Sequence, residues 1–360
     1  MTDIIIVGGG ISGMLSAWYL ARAGARVRVL DRQAPGRESS WAGGGIVSPL
    51  YPWRYAAPVN RLARWSQQQF PALAGEIAAT SGIDPEYLNS GLLMPGLGEG
   101  EYRQALQWAG GYGADLQTLS DADLITIQEG LQPPPGQHLW LPAVAQVRNP
   151  RLLKSLHEAL LQLGVEVLAD QPVSELALAN GPVQGVVVRG QTLPADKVVL
   201  CAGAWTDQIQ GHQPTGIYPV RGQMLMFQAS DTLLSRIVLA GETYLIPRRD
   251  GKIIAGSTME RVGFDKATTS EAREDLFQRA IALLPALADC PVIHHWAGLR
   301  PGNESGIPCI SAHPGIEGLF INAGQYRNGI VTGPASARLL SDLLLERPPI
   351  LDPDAYRLGT

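Results

Sequence analysis

Cysteine is scarce in this 360-residue chain: Cys201, Cys290 and Cys309 are far apart and odd in number. That excludes a disulfide framework or a CxxC metal clip and predicts a reducing, cytoplasmic setting. Charge is scarce too, at 17% of residues against roughly 25% in an average globular chain, so much surface is predicted to be buried. Neither sign dominates, with 28 basic and 33 acidic residues and a net charge of −5. Such a balance offers no footprint for nucleic acid and no polybasic patch for a membrane surface. A long apolar run is also missing. Ile4 to Ala21 carries no charged side chain, but three glycines interrupt it, Arg22 ends it and the acidic Asp3 precedes it. This argues against a membrane span or a secretory leader. The histidines lack metal spacing: His294 and His295 are adjacent in a strand-like run and point to opposite faces, while His138, His157, His212 and His313 stand apart. No metal site and no Ser-His-Asp set is predicted.

Glycine and proline, by contrast, are plentiful, 41 and 27 residues scattered along the chain, which predicts many tight turns between packed elements. The length suggests two domains. Ile4–Val7 reads as a strand buried on both faces, and Ile11, Met14, Leu15 and Trp18 mark one face of a helix. Gly24 stops that helix, and Val27–Leu30 is the next strand. A second crossover has Asn149 as N-cap, Pro150 at the first helical position, a helix through Leu163, and Gly164 before Val165–Val167. Lys197–Cys201 is another buried strand. The middle is different. Tyr218–Phe227 alternates like an antiparallel strand, and Thr243–Ile246 and Lys252–Ser257 flank Arg249-Asp250-Gly251, a hairpin signal. A two-residue turn at Asp250-Gly251 would set Arg249 opposite Lys252 and Tyr244 opposite Ser257, with Met259 on the same face. The predicted architecture is α/β (α+β overall), a Rossmann-like cofactor domain with an inserted antiparallel-sheet substrate domain. The expected division is 1–80, 146–215 and 300–360 for the first, 81–145 and 216–299 for the second.

Gly8, Gly10 and Gly13, with Ile11 and Ser12 between the last two, form G-x-G-x-x-G between strand and helix, and Asp31 follows at the end of the next strand. Gly8 permits the tight turn, Gly10 lets backbone approach a pyrophosphate, and Gly13 lets helix and strand pack closely. The helix N-terminus offers N–H groups to phosphate, and Asp31 offers an acceptor to ribose hydroxyls. A dinucleotide is predicted, NAD or FAD. Three further segments favour FAD. They are Glu38-Ser39-Ser40-Trp41-Ala42-Gly43-Gly44-Gly45, the strand end Cys201-Ala202-Gly203-Ala204-Trp205, and Gly324-Gln325-Tyr326-Arg327-Asn328-Gly329-Ile330 leading into a C-terminal helix. A helix N-terminus in the last could stabilise negative charge on a reduced flavin. Arg300 ends the apolar stretch Trp296-Ala297-Gly298-Leu299, where an unpaired guanidinium is costly. Its partner is either Glu304 or a substrate carboxylate.

These motifs, together with Pro219-Val220-Arg221-Gly222-Gln223, Tyr244-Leu245-Ile246-Pro247-Arg248, Gly256-Ser257-Thr258-Met259 and Trp296 through Pro301, carry a resemblance. Over essentially its whole length the chain resembles the D-amino-acid oxidase/sarcosine oxidase superfamily of FAD-dependent amine oxidoreductases. It is most similar to the glycine oxidase branch associated with thiamine biosynthesis. The resemblance implies FAD, held without a covalent link because no cysteine is placed to form one, and adds Arg32 and Val173 to the cofactor-binding set. It implies that Arg300 clamps a substrate carboxylate, that Tyr244 hydrogen-bonds it, that Met259 lines the pocket and that Arg327 lies across from them. The implied reaction is oxidative deamination of glycine, small D-amino acids or other amines with CH–NH2 donors. Hydride passes from Cα to flavin N5, the imine hydrolyses to oxoacid and ammonia, and oxygen is reduced to hydrogen peroxide. Such a transfer needs orientation and a neutral substrate nitrogen but no general base. The alternatives are a D-amino-acid dehydrogenase using a quinone or other acceptor, a sarcosine or N-methyl amine oxidase, and a flavoprotein without turnover. Partners are then the small substrate and oxygen or another acceptor, with assembly into a homo-oligomer left open. The aromatic stretch Pro49–Tyr55 departs from the pattern and is expected at a pocket rim or on the surface.

Overall fold

The computed structural model describes residues 2–179, 181–230 and 232–359. The chain begins with β1 (Asp3–Val7), α1 (Ile11–Arg22) and β2 (Arg26–Leu30), then the short α2 (Ser39–Ala42) and the long α3 (Ala57–Ser81). β3 (Leu92–Leu97), α4 (Glu99–Tyr112), β4 (Gln117–Leu119), α5 (Asp121–Ile127) and β5 (Gln137–Leu141) follow. α6 (Asn149–Gln162) and β6 (Glu166–Leu168) precede β7 (Val173–Leu178), β8 (Val183–Val188), β9 (Gln191–Pro194) and β10 (Lys197–Leu200). Next come β11 (Tyr218–Gln228), β12 (Ile237–Ala240), β13 (Thr243–Pro247), β14 (Lys252–Gly256), α7 (Ser270–Leu283) and β15 (Val292–Gly302). β16 (Cys309–Ala312), β17 (Leu319–Ala323) and α8 (Gly329–Leu344) complete the order.

The β-branched runs at Ile4–Val7, Val27–Leu30 and Val198–Leu200 sort into one six-stranded sheet, β16-β17-β10-β1-β2-β6, parallel except at β16. Burial on both faces explains their unbroken apolar character. Ile4 and Ile6 pack with α1, α3, α6 and α8, whereas Ile5 and Val7 pack with Leu176, Val186 and Val188 of the separate sheet β7-β8-β9. A second sheet has eight strands in the order β15-β11-β14-β13-β12-β3-β5-β4. Leu225, Leu245 and Ala255 turn to α7, and Met224, Tyr244, Ile246 and Ile254 turn the other way. Strand alternation thus gives this sheet one face for its own core and one for a site. The expected α/β architecture, with parallel and antiparallel sheets, is observed.

Two local expectations are corrected. The β13–β14 turn has three residues: Arg248 N–H donates to Lys252 O at 2.8 Å, and Gly251 N–H donates to Arg248 O at 3.1 Å. A two-residue I′ turn needs positive φ at both central positions, but only Gly251 has it, at +74°, and Asp250 does not. Tyr244 therefore pairs with Gly256 rather than Ser257. α6 starts at Asn149 with Arg148 at the cap position and no side-chain cap bond; the Asn149 side-chain N–H donates to Ser40 O at 2.7 Å. β15 runs from Val292 through Arg300 to Gly302. No helix among the described residues is long and apolar enough to cross a membrane.

Candidate active site

A cavity of about 580 Å³ opens at the C-terminal ends of β1, β2 and β10, where Gly8, Asp31 and Ala202 meet. This is the crevice in which open α/β sheets bind ligands. Gly8 has φ +108°, and a Cβ there would run into Cys201 O; a Cβ on Gly13 would overlap Gly8 O. The two glycines let α1 sit directly on the β1 turn, so its first turn reaches the cavity at Gly10, Ile11 and Ser12. Asp31 is tied at both oxygens, accepting from Gly9 N–H at 2.8 Å and Gln33 N–H at 3.0 Å. Burial pushes its carboxyl above the ordinary value, against those two bonds. Each carboxylate oxygen keeps a lone pair for another donor. Ser40 Oγ accepts from Ile11 N–H at 3.0 Å, joining the α2 segment to the fingerprint. At the far end the Arg32 guanidinium lies 3.6 Å from the centroid of the Trp205 ring, and Phe264 packs on that ring.

Of the residues expected at the cofactor, Ser12, Arg32, Ser39, Ser40, Gly43, Gly44, Gly45, Val173, Gly203 and Trp205 line this cavity, as do Gln325 through Ile330. Two of the expected set do not. Gly13 is spent on packing α1 against Gly8, and Gly324, with φ +84°, turns beside Asn303. Glu38, which heads the expected glycine segment, lines the cavity and bonds Arg32 at 2.7 Å, whereas sequence reasoning missed Phe264. It also missed Arg248, whose guanidinium donates to Gln146 Oε1, Val147 O and Gly44 O at 2.7, 3.0 and 2.7 Å and so pins the glycine loop to the β13–β14 hairpin. Burial brings Arg248 down to about 10.

A smaller cavity of about 80 Å³ adjoins the first and shares Gly43, Gly44, Tyr244, Arg300 and Arg327 with it. Its floor is the site face of the eight-stranded sheet. Tyr244, Gly256, Met224 and Trp296 form one cross-strand row, and Gly222 pairs with Gly298 beside it. The buried Tyr244 ring crosses Gly256 so that its hydroxyl donates to Met224 Sδ at 3.5 Å, a weak acceptor. Arg300 is half-buried and lines both cavities. It donates to Ser257 Oγ at 2.7 Å and to the carbonyls of Thr258 and Arg221 at 3.1 and 3.4 Å. Burial and nearby Arg327 hold its pKa below the ordinary arginine value. Glu304 pairs with Arg261 instead, so all the protein partners of Arg300 are neutral. Arg327 is exposed at the mouth. Met259 lies outside both cavities, 53% exposed, with Tyr326 Oη donating to its sulfur at 3.0 Å. β14 ends at Gly256, so the strand alternation expected to carry Met259 onto the Tyr244 face stops before it. Met224, legible from the alternation of β11, supplies the thioether beside Tyr244.

A family model described as FAD dependent oxidoreductase matches residues 3–343. The chain belongs to this family. It is 45% identical over 358 residues to a glycine oxidase of Pseudomonas aeruginosa, covering 98% of this chain and 97% of that one. It is 44% identical over 369 residues to a glycine oxidase of Pseudomonas putida, covering 99% of each. Among solved structures, glycine oxidase of Geobacillus kaustophilus superposes with a TM-score of 0.92 at 27% identity, covering 100% of this chain and 99% of that one. FAD is therefore the cofactor, and the residues present fit it. The glycine cradle, the α1 and α8 N-termini and the free acceptor capacity of Asp31 match a diphosphate, a polar ring and a ribose respectively.

Proposed function

We propose that this FAD-dependent oxidoreductase deaminates glycine and comparably small amino acids, with oxygen as the terminal acceptor. One observation carries the reading: the Arg300 guanidinium, satisfied only by neutral groups, heads a small cavity open to the dinucleotide cavity. A planar fork with spare donors suits a carboxylate. At ~10–15 Å³ per water-sized occupant, 80 Å³ admits a molecule of about five to eight heavy atoms, the range of glycine and other small amino acids. Identity to glycine oxidases at 45% supports the same substrate class.

Bound FAD would supply a two-electron acceptor for the hydride leaving Cα, with oxygen as the oxidant that regenerates it and hydrogen peroxide as the product. The protein's own part is positional. Arg300 and the Tyr244 hydroxyl take the carboxylate, which aims Cα at the cavity shared with Gly43 and Gly44. No carboxylate or imidazole lines the smaller cavity, so no side chain there accepts a proton. The positive charges of Arg300 and Arg327 disfavour an ammonium beside them, and the amine enters neutral. The imine product then takes up water, yielding oxoacid and ammonia. Gly8, Gly10, Ile11, Ser12 and Ser40 would hold the diphosphate, Asp31 the ribose, and Gln325 through Ile330 the ring end. The FAD is held non-covalently in this reading: burial pushes the Cys201 thiol up to about 12, which leaves it unreactive. A cytoplasmic setting is supported by three free cysteines. The cofactor-binding part comprises 1–80, 146–215 and 300–360, and the substrate-binding part 81–145 and 216–299.

Anaerobic mixing with glycine, sarcosine, D-alanine and D-proline tests this. Flavin bleaching should be strongest with glycine, and Arg300→Met should lower kcat/KM by about 10²- to 10³-fold through loss of charged hydrogen bonds. Bleaching by none of the four, or an unaffected Arg300→Met protein, sinks the reading. Peroxide formed in step with turnover in air checks the acceptor.

A further inference from the structure

The glycines around the site whose added side chain would be obstructed fall into two classes by what it would strike. At Gly8, Gly13 and Gly45 a Cβ would collide with backbone carbonyls, and Gly8 and Gly45 also have positive φ. At Gly222 and Gly256 neither reason applies. Both are paired, Gly222 within β11 and Gly256 at the end of β14, neither has positive φ, and their obstructed neighbours are side-chain tips. A Cβ on Gly222 would overlap Nη1, Nη2 and Cζ of Arg300 together, so the guanidinium lies face-on against that Cα. A Cβ on Gly256 would stand 2.7, 2.8 and 2.9 Å from Oη, Cζ and Cε2 of Tyr244. Glycine inside a strand weakens it, and here two adjacent strands accept that cost beneath the two groups assigned to the substrate carboxylate.

We propose that Gly222 and Gly256 are positioning residues for substrate binding, the missing side chains holding Arg300 and Tyr244 low on the sheet so that both reach one carboxylate. This rests on the reading of Arg300 and Tyr244 given above. Because the obstructed atoms end flexible side chains, the fold can absorb an added methyl by moving them. The fold survives and the clamp is displaced. Ser257 and Thr258 hold one edge of Arg300, so the displaced group moves away from Gly222 into the 80 Å³ cavity and occupies the space meant for substrate.

The test uses the FAD-loaded enzyme and acetate, a carboxylate without an amine, with binding read from the flavin absorbance change. Gly222→Ala should weaken acetate by about ten- to a hundredfold, with FAD retained and the melting temperature unchanged or raised. In an Arg300→Met background the same substitution should have no further effect on acetate affinity, because a residue acting only through Arg300 shows full coupling in a double-mutant cycle. Gly256→Ala should behave likewise toward Tyr244→Phe. Wild-type acetate affinity in Gly222→Ala, equal losses in both backgrounds, or failure of Gly222→Ala to fold would each overturn the proposal for Gly222, with the Gly256 pair tested independently. Wild-type acetate affinity in Arg300→Met itself would instead overturn the assignment of Arg300.

Discussion

Three arginines under the site illustrate how partners decide what a buried guanidinium does. Arg221 is paired with Glu260 and Asp265 and serves the fold. Arg248 has three neutral acceptors and no opening to either cavity, so it fastens backbone. Arg300 has neutral acceptors on one side and a cavity on the other, which leaves charge and donors to spend on a ligand. Removing the Tyr244 hydroxyl should cost one hydrogen bond to the carboxylate: Tyr244→Phe is expected to raise KM for glycine about tenfold with kcat nearly kept, measured by steady-state kinetics. Glu260 makes a pH prediction. Burial alone would raise its carboxyl, but bonds from Arg221, Thr258 and Gln223 bring it below the ordinary value. A lowered folded pKa gives stability that is full above the unfolded value, roughly 4.3, and is lost as pH falls through the folded value. Glu260→Gln should therefore flatten the acid limb of melting temperature against pH, and an unchanged limb would refute the assignment.

At the level of elements, the β1–α1 joint is the most demanding contact in the cofactor site. Gly13→Ala would push α1 off the Gly8 carbonyl, and the purified protein should lose most of its flavin and melt lower, by absorbance ratio and calorimetry. This joint was also the most legible part of the chain. Buried strand, glycine spacing and helix face are each encoded within about thirty residues, so local pattern and tertiary role agree. The β13–β14 hairpin was legible as a hairpin but not in register. Asp250-Gly251 signals a turn of either two or three residues, and the choice hangs on one backbone angle at Asp250. That angle moved Tyr244 onto Gly256, and β14 ends there, before Met259. Arg248 and Phe264 were not legible as site residues, because what they touch lies far away in sequence: Gly44 for the first, Trp205 for the second. Nothing in their own neighbourhoods announces those contacts.

For the molecule as a whole, a cofactor bound to the folded state alone must raise its stability with free concentration, by about 2.7 kcal/mol at a hundredfold excess over Kd. Melting of apoprotein against rising FAD should show that dependence, and acid precipitation should leave the flavin in the supernatant. A melting point indifferent to FAD would contradict the assigned cavity. The six-stranded sheet has one further consequence, for synthesis on the ribosome. Its central strand β1 pairs with β10, which pairs with β17, and the cavity is closed by Gln325 through Ile330. The first cofactor-binding residues to emerge thus wait for nearly the last. A nascent chain stopped at residue 300 carries the whole fingerprint yet lacks β17 and α8, so it should capture no flavin. Until β17 emerges, β10 (Lys197–Leu200) is an apolar strand with an unpaired partner side, the stretch on which a chaperone would be most needed.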